Sequence, residues 1–74
     1  MIKYEQGQLF KPKEFNVFWK AFKINAILCY DTALKYEVKC YGRAGMRNLI
    51  QMDHEFMCET SESITENEFK DIMM

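Results

Sequence analysis

The segment from Pro12 to Tyr30 constrains the fold most strongly, because it concentrates more apolar surface than any other part of the chain. Its apolar residues recur at positions 15, 18, 19, 22, 26, 29 and 30, a spacing typical of the buried face of an α-helix. Pro12 suits the first turn of a helix, and Glu14 would lie near the positive end of the helix dipole. The spacing therefore predicts one long helix over this segment.

A second apolar stripe runs along the same segment. It consists of Val17, Ala21, Ile24 and Leu28, which at about 100° per residue lie roughly opposite the aromatic stripe of a helix. A helix in a small one-sheet domain buries a single face on its own sheet, so the second stripe needs another partner. We predict that it binds another protein or a second copy of the chain; coverage by the C-terminal helix is the alternative.

The last part of this segment also fits a β-strand. Phe22, Ile24, Ala26, Leu28 and Tyr30 alternate with Lys23, Asn25, Ile27 and Cys29, and alternation is the pattern of a half-buried strand. Residues 31–33 would then form a hairpin turn. Under this alternative the helix is limited to residues 12–22, and the second stripe does not exist.

The clearest strand pattern covers residues 33–41, where Leu34, Tyr36, Val38 and Cys40 alternate with mostly polar residues. Weaker alternation in residues 2–9 predicts a short edge strand. Residues 42–48 contain two glycines and two arginines, which indicates a loop.

Residues 49–58 fit a second strand of a hairpin, and a helix over residues 46–58 is the alternative. Pairing Lys39 with Gln51 would place Val38 opposite Met52 and Lys35 opposite Glu55. The same register would set Glu37 opposite Asp53, an unfavourable pair of like charges.

The best local signal lies near the C-terminus. Thr65 and Glu68 have the spacing of a capping box, and Ile64 and Phe69 have that of a hydrophobic staple. They predict a helix from residue 66 to about residue 73. We therefore predict one small α+β domain over residues 1–74, ordered β-α-β-β-α, with a mostly antiparallel sheet packed on the long helix.

Composition narrows the class of protein. A chain of 74 residues with 49% hydrophobic residues folds but builds a small core, which favours association. The net charge of −1 conceals nine basic and four acidic residues in positions 1–48, against one basic and seven acidic in positions 49–74. The first residues lack the apolar core of a signal peptide, no apolar run reaches the roughly 20 residues of a membrane span, and the three cysteines suggest no disulfide framework. We expect a cytoplasmic protein without a membrane partner.

Few residues suggest chemistry. The single histidine, His54, is expected to be a partly buried residue across the sheet from Tyr36. Cys29, Cys40, His54 and Cys58 have metal-binding side chains but no C-x-x-C pair. On a strand, His54 and Cys58 would be roughly 13 Å apart, and only a helix would bring them together. We predict no catalytic residue, metal, cofactor or small-molecule substrate, and hence no enzyme.

Gly42-Arg43-Ala44-Gly45 resembles the G-x-x-G loop with which KH domains hold a nucleic-acid backbone. In that family the loop joins two helices, whereas here a predicted strand precedes it. The neighbouring cations could contact phosphates, and the aromatic residue beside them could stack on a base. These candidate residues are Lys35, Lys39, Tyr41, Arg43 and Arg47.

Short length, a composition rich in Lys, Ile, Asn, Tyr and Glu, and the lack of catalytic motifs resemble accessory proteins of phages and other mobile elements. The leading hypothesis is a non-enzymatic protein-binding module that inhibits a host protein in the host cytoplasm, or that forms a homodimer. The alternative is a nucleic-acid-binding domain that uses the basic loop from Gly42 to Asn48.

Overall fold

Two long antiparallel strands organise the structure, a computed structural model that describes residues 4–30 and 33–74. These strands are β2 (Trp19–Tyr30) and β3 (Ala33–Gly42), joined through residues that the structure does not describe. The other elements are β1 (Leu9–Pro12), a 3-10 turn (Arg43–Gly45), β4 (Arg47–Asp53), α1 (His54–Thr60), β5 (Ser61–Ile64) and α2 (Glu66–Met73).

The five strands form one sheet in the order β4-β3-β2-β1-β5, and each neighbouring pair is antiparallel. Strands β1 to β4 follow one another as a meander. Strand β5 then returns to the free side of β1, and α1 makes the connection. The predicted α+β class and antiparallel sheet are confirmed, and the described residues form one small compact domain.

The long helix predicted over Pro12–Tyr30 does not form. Residues 19–30 form β2, so the strand alternative is correct for residues 22–30, but its shorter helix over residues 12–22 does not form either. Strand β2 has register shifts between Trp19 and Ala21 and between Ile24 and Ala26. In the first part of the segment, the Asn16 side-chain oxygen accepts hydrogen bonds from the backbone N–H groups of Phe18 and Trp19 at 2.8 and 2.9 Å. Such local bonds compete with helical ones, and the segment bends into a turn before β2.

The predicted edge strand over residues 2–9 is also wrong. Residues 1–3 lie outside the described part of the chain, and residues 4–8 form a turn in which Gly7 has φ of +88°. Glycine adopts this backbone conformation without a steric penalty. The first strand begins at Leu9 and lies inside the sheet, between β2 and β5.

The strand predicted over residues 33–41 is confirmed as β3, whereas the one predicted over residues 49–58 ends at Asp53 and continues as α1. The hairpin register differs from the prediction by two residues, with Lys39 opposite Leu49. A shift of two keeps every side chain on its predicted face. It also sets Lys35 opposite Asp53 and removes the unfavourable pairing of Asp53 with Glu37.

Side-chain caps determine where the two helices begin. The Asp53 carboxylate accepts a hydrogen bond from the Phe56 backbone N–H at 2.8 Å, which caps α1. Thr65 and Glu68 form the predicted capping box at the start of α2, and the predicted helix is found there.

Alternation along the strands produces two different sheet faces. The inner face holds the core, which α1 completes with Met57; its buried residues are Phe10, Phe22, Ile24, Tyr36, Val38, Cys40, Met52 and Met57. Helix α2 contacts β1 and β2, and its Phe69 ring packs edge-on against Tyr41 on the outer face, with 5.1 Å between the ring centroids. Helix α2 packs on β1 and β2 rather than on β4, so the outer face of β3 and β4 remains accessible.

The turn after β3 provides a test of this packing. A Cβ atom at Gly42 would lie 2.7 Å from the Phe18 carbonyl oxygen and 2.9 Å from Met46 Cβ, so we expect Gly42→Ala to lower the free energy of unfolding by about 1–3 kcal/mol. Ala44 has φ of +55°, and Ala44→Gly should change it by less than about 1 kcal/mol. Urea denaturation monitored by Trp19 fluorescence measures both, and an unchanged midpoint for Gly42→Ala would contradict the packing.

Candidate functional site

The four residues predicted to form a partner-binding stripe do not share one surface. Ala21 and Ile24 are completely buried, and they lie on opposite faces of the sheet because they pair with Tyr41 and Val38 respectively. Val17 is exposed in the turn before β2, and Leu28 is half-buried opposite Lys35. The two sheet faces bury Ala21 and Ile24, whereas Val17 remains exposed.

A different apolar surface lies where β2 begins and β3 ends. Its exposed fractions are 81% for Phe15, 65% for Val17, 61% for Phe18 and 45% for Met46. We call these four residues the apolar tip. Large exposed apolar side chains on neighbouring loops mark interaction sites more often than scattered ones do.

Hydrogen bonds hold the two loops of the apolar tip against each other. The Arg43 backbone N–H donates to the Phe18 carbonyl at 3.2 Å, and the Arg43 side-chain Nε donates to the Val17 carbonyl at 3.2 Å. The Gly42 N–H donates to the Met46 carbonyl at 2.8 Å. Together with the hydrogen bonds that the Asn16 side chain accepts from the Phe18 and Trp19 N–H groups, these bonds fix the backbone from which the apolar side chains project.

Arg43 supplies a positive charge within this apolar surface. Its guanidinium carbon lies 5.1 Å from the centroid of the Phe15 ring, a cation–π geometry. Within residues 4–30 and 33–74, no carboxylate forms an ion pair with it. The sequence pattern assigned Arg43 to a nucleic-acid-binding loop and did not predict the apolar tip. The signal that could have revealed the tip is Asn16, between Phe15 and Phe18, because asparagine favours a turn.

Four of the five residues predicted to bind nucleic acid lie on the outer sheet face. Lys35, Lys39 and Tyr41 share one side of β3, and Arg47 is opposite Tyr41 on β4. The Lys39 Nζ and Arg47 Cζ atoms lie 5.5 and 4.8 Å from the centroid of the Tyr41 ring. Arg43 is separate, at the apolar tip.

The G-x-x-G sequence does not adopt the arrangement that its resemblance to KH domains implies. Gly42 ends β3, and the 3-10 turn that follows leads into β4. The motif thus connects two strands, rather than two helices.

A chain of hydrogen bonds runs from the N-terminal segment to α1. The Tyr4 N–H donates to the Tyr36 hydroxyl at 3.0 Å, and that hydroxyl lies 2.8 Å from His54 Nδ1. His54 Nε2 lies 3.4 Å from Cys58 Sγ, which lies 3.0 Å from the Tyr4 hydroxyl. The Tyr36 oxygen accepts a hydrogen bond from the Tyr4 N–H, and its O–H can donate to Nδ1 in the His54 tautomer that carries its proton on Nε2.

This hydrogen-bond network connects α1 and Tyr4 to β3. His54 is 8% exposed and contacts Tyr36 as expected, but it does so from the start of α1. The strand position opposite Tyr36, where it was predicted, is occupied by Met52. No buried side-chain nitrogen or oxygen in the described part of the chain lacks a hydrogen-bond partner. The network therefore satisfies the polar groups that attach α1 and residue 4 to β3.

Burial also raises the pKa of several groups. The pKa of Tyr4 is raised to about 12, mainly by burial and then by its hydrogen bond to Cys58. Burial likewise raises the pKa of Tyr36, and it raises that of the Cys40 thiol to about 11. Both phenols of the network are therefore protonated at neutral pH and available as donors.

The described residues contain no group of three or more His, Cys, Asp or Glu side chains placed to hold a metal ion. The alternative helix over residues 46–58 does not form, but the shorter α1 brings His54 and Cys58 together within the network. None of the described helices has the length and apolar character needed to cross a bilayer. Comparison with protein-family models, with curated proteins and with solved structures finds no match.

Removing the Tyr36 hydroxyl tests the network. Tyr36→Phe leaves the Tyr4 N–H and His54 Nδ1 without their partner, so we expect it to lower the free energy of unfolding by about 1–3 kcal/mol. Tyr41→Phe is the matched control, and its effect should stay within about 0.5 kcal/mol because its ring is partly exposed. Equal denaturation midpoints for the two variants would contradict a stabilising network.

The raised pKa of Tyr4 predicts a loss of stability in alkali. Between its ordinary value of 10.0 and its folded value of about 12, the unfolded chain releases the Tyr4 proton while the folded chain keeps it. Stability from this group is therefore complete below pH 10 and decreases as the pH rises toward 12. Chemical denaturation of the protein and of Tyr4→Phe across this range should show the shallower decline in the variant; parallel declines would refute the assignment.

Proposed function

We propose that the protein is a non-enzymatic binding module that docks its apolar tip into a groove on another protein. The observation that carries this proposal is the exposure of two phenylalanines, Phe15 and Phe18, on a backbone fixed by hydrogen bonds. Loops held by a rigid sheet are common binding elements. No residue of the tip has side-chain chemistry suited to catalysis.

The energetics of the apolar tip favour binding. Burying one phenylalanine side chain contributes about 1.5–3 kcal/mol, and aromatic anchors near the centre of an interface account for much of its affinity. Because Asn16 and Arg43 already hold the two loops in place, little backbone entropy remains to be lost on binding. Four side chains at one end of the domain can thus supply a specific contact without a large interface.

The charge at the tip defines the partner further. Arg43 lies over the Phe15 ring, lines an open cavity with Lys13, Glu14 and Lys20, and has no carboxylate partner within the described residues. A partner groove with apolar walls and one carboxylate at its rim would bury the phenylalanines and pair with Arg43. The tip therefore fits an acidic, apolar groove better than a basic surface.

The phage-like composition supports a host protein as this partner and inhibition by occupation of the groove as the mechanism. On this proposal the protein acts in the host cytoplasm, where its three free cysteines remain reduced. A homodimer formed through the tip is the competing arrangement, and the experiment below separates the two.

The double variant Phe15→Ser/Phe18→Ser tests the proposal. It should retain the far-ultraviolet circular dichroism of the parent, because both side chains are exposed, and it should reduce recovery of a specific host protein by at least about tenfold in quantitative affinity purification. Leu49→Ser, which replaces an apolar side chain on β4 that is 52% exposed, is the control and should leave recovery unchanged.

Two results would overturn the proposal. One is recovery of the same proteins at the same level by the parent and the double variant. The other is a parent dimer, detected by light scattering, that the double variant converts to a monomer, since this would make a second copy the occupant of the tip.

A further inference from the structure

The accessible part of the outer sheet face concentrates positive charge at a second location. Lys23 on β2 and Lys39 on β3 are direct cross-strand partners, and both are exposed. Like charges placed directly opposite each other destabilise a sheet. Arg47 extends the charge onto β4, opposite Tyr41. We call Lys23, Lys39, Tyr41 and Arg47 the basic face.

The charges of the basic face are not neutralised by the domain. Among residues 4–30 and 33–74, none of its three cations forms an ion pair with a carboxylate. Glu37 lies further along the same side of β3, where it faces Gln51 and accepts a hydrogen bond from the Asn25 side chain. Glu66 of α2 lines an open cavity that it shares with Lys23 and with a further cation, Lys70. The arrangement remains suited to an external anion.

Tyr41 adds an aromatic surface at the centre of these charges. The side chains of Lys39 and Arg47 lie over its ring in cation–π geometry. The Phe69 ring of α2 packs against it with an interplanar angle of 83°. Surfaces that bind single-stranded nucleic acid combine these two elements, cations that contact the phosphates and an aromatic ring on which an unpaired base stacks. A base in a duplex is already stacked and cannot use the ring.

We propose that the basic face binds single-stranded nucleic acid. Lys23, Lys39 and Arg47 contact phosphates, and Tyr41 stacks on one base when Lys39 or Arg47 turns from its ring toward a phosphate. This site retains Lys39, Tyr41 and Arg47 from the residues predicted around the G-x-x-G sequence. It adds Lys23 and omits Lys35 and Arg43. It is also separate from the apolar tip, so the two proposals stand or fall independently.

Fluorescence anisotropy with labelled single strands of 20 deoxythymidines or 20 uridines, and with a duplex of the same length, tests the proposal. With three phosphate contacts, the logarithm of the association constant for a single strand should fall with the logarithm of the salt concentration with a slope of about −2. Tyr41→Ala should weaken binding about tenfold. The two single strands distinguish DNA from RNA as the preferred ligand.

Charge variants locate the site. Lys39→Gln should weaken binding and make the salt slope shallower by about 0.7. The same variant removes a like-charge pair and should leave the melting temperature unchanged or raise it, so weaker binding would not reflect unfolding. Arg43→Gln, at the apolar tip, should leave affinity unchanged.

Three outcomes would overturn the inference. They are undetectable binding of both single strands at 50 mM salt, duplex binding as tight as single-strand binding, and a loss of affinity in Arg43→Gln as large as that in Lys39→Gln. The last of these would return the site to the loop.

Discussion

The antiparallel pairing of β2 with β3 is the constraint on which the rest of the structure depends. It sets Ile24 opposite Val38 and Phe22 opposite Cys40 at the centre of the core. Because both strands are long and alternate, the same pairing also builds the outer face, where Lys23 meets Lys39. Where β2 begins and β3 ends, this pairing brings two loops together, and these loops form the apolar tip. The core, the basic face and the apolar tip therefore all depend on the register of one pair of strands.

The sequence predicted those elements whose determinants are local. The start of α2 depends on bonds between Thr65 and Glu68, three residues apart, and these bonds are found. β3 was predicted from alternation within its own residues, and the faces of the β3-β4 hairpin were predicted despite the shifted register. The basic residues of β3 were identified for the same reason, since alternation alone places Lys39 and Tyr41 on one side of the strand.

The remaining features of the fold and of the apolar tip could not be predicted, because they depend on contacts between residues that are far apart in the sequence. The segment from Pro12 to Tyr30 is apolar at both helical and strand spacings, and its pairing with residues 33–42 decides between them. The end of β4 is set by Asp53, whose carboxylate caps a helix that the alternating pattern had hidden. The tip combines loops that are more than 20 residues apart, so the exposure of Phe15 could not be inferred from hydrophobicity, which favours burial.

The position of β1 between β2 and β5 makes the sheet depend on a strand that lies about 50 residues from β1 in the sequence. Until Ser61–Ile64 pairs with β1, the four-stranded meander leaves one edge of β1 with unpaired backbone groups. Exposed edges of this kind can pair with strands of other chains. Docking of β5 therefore covers an edge open to aggregation as well as completing the sheet.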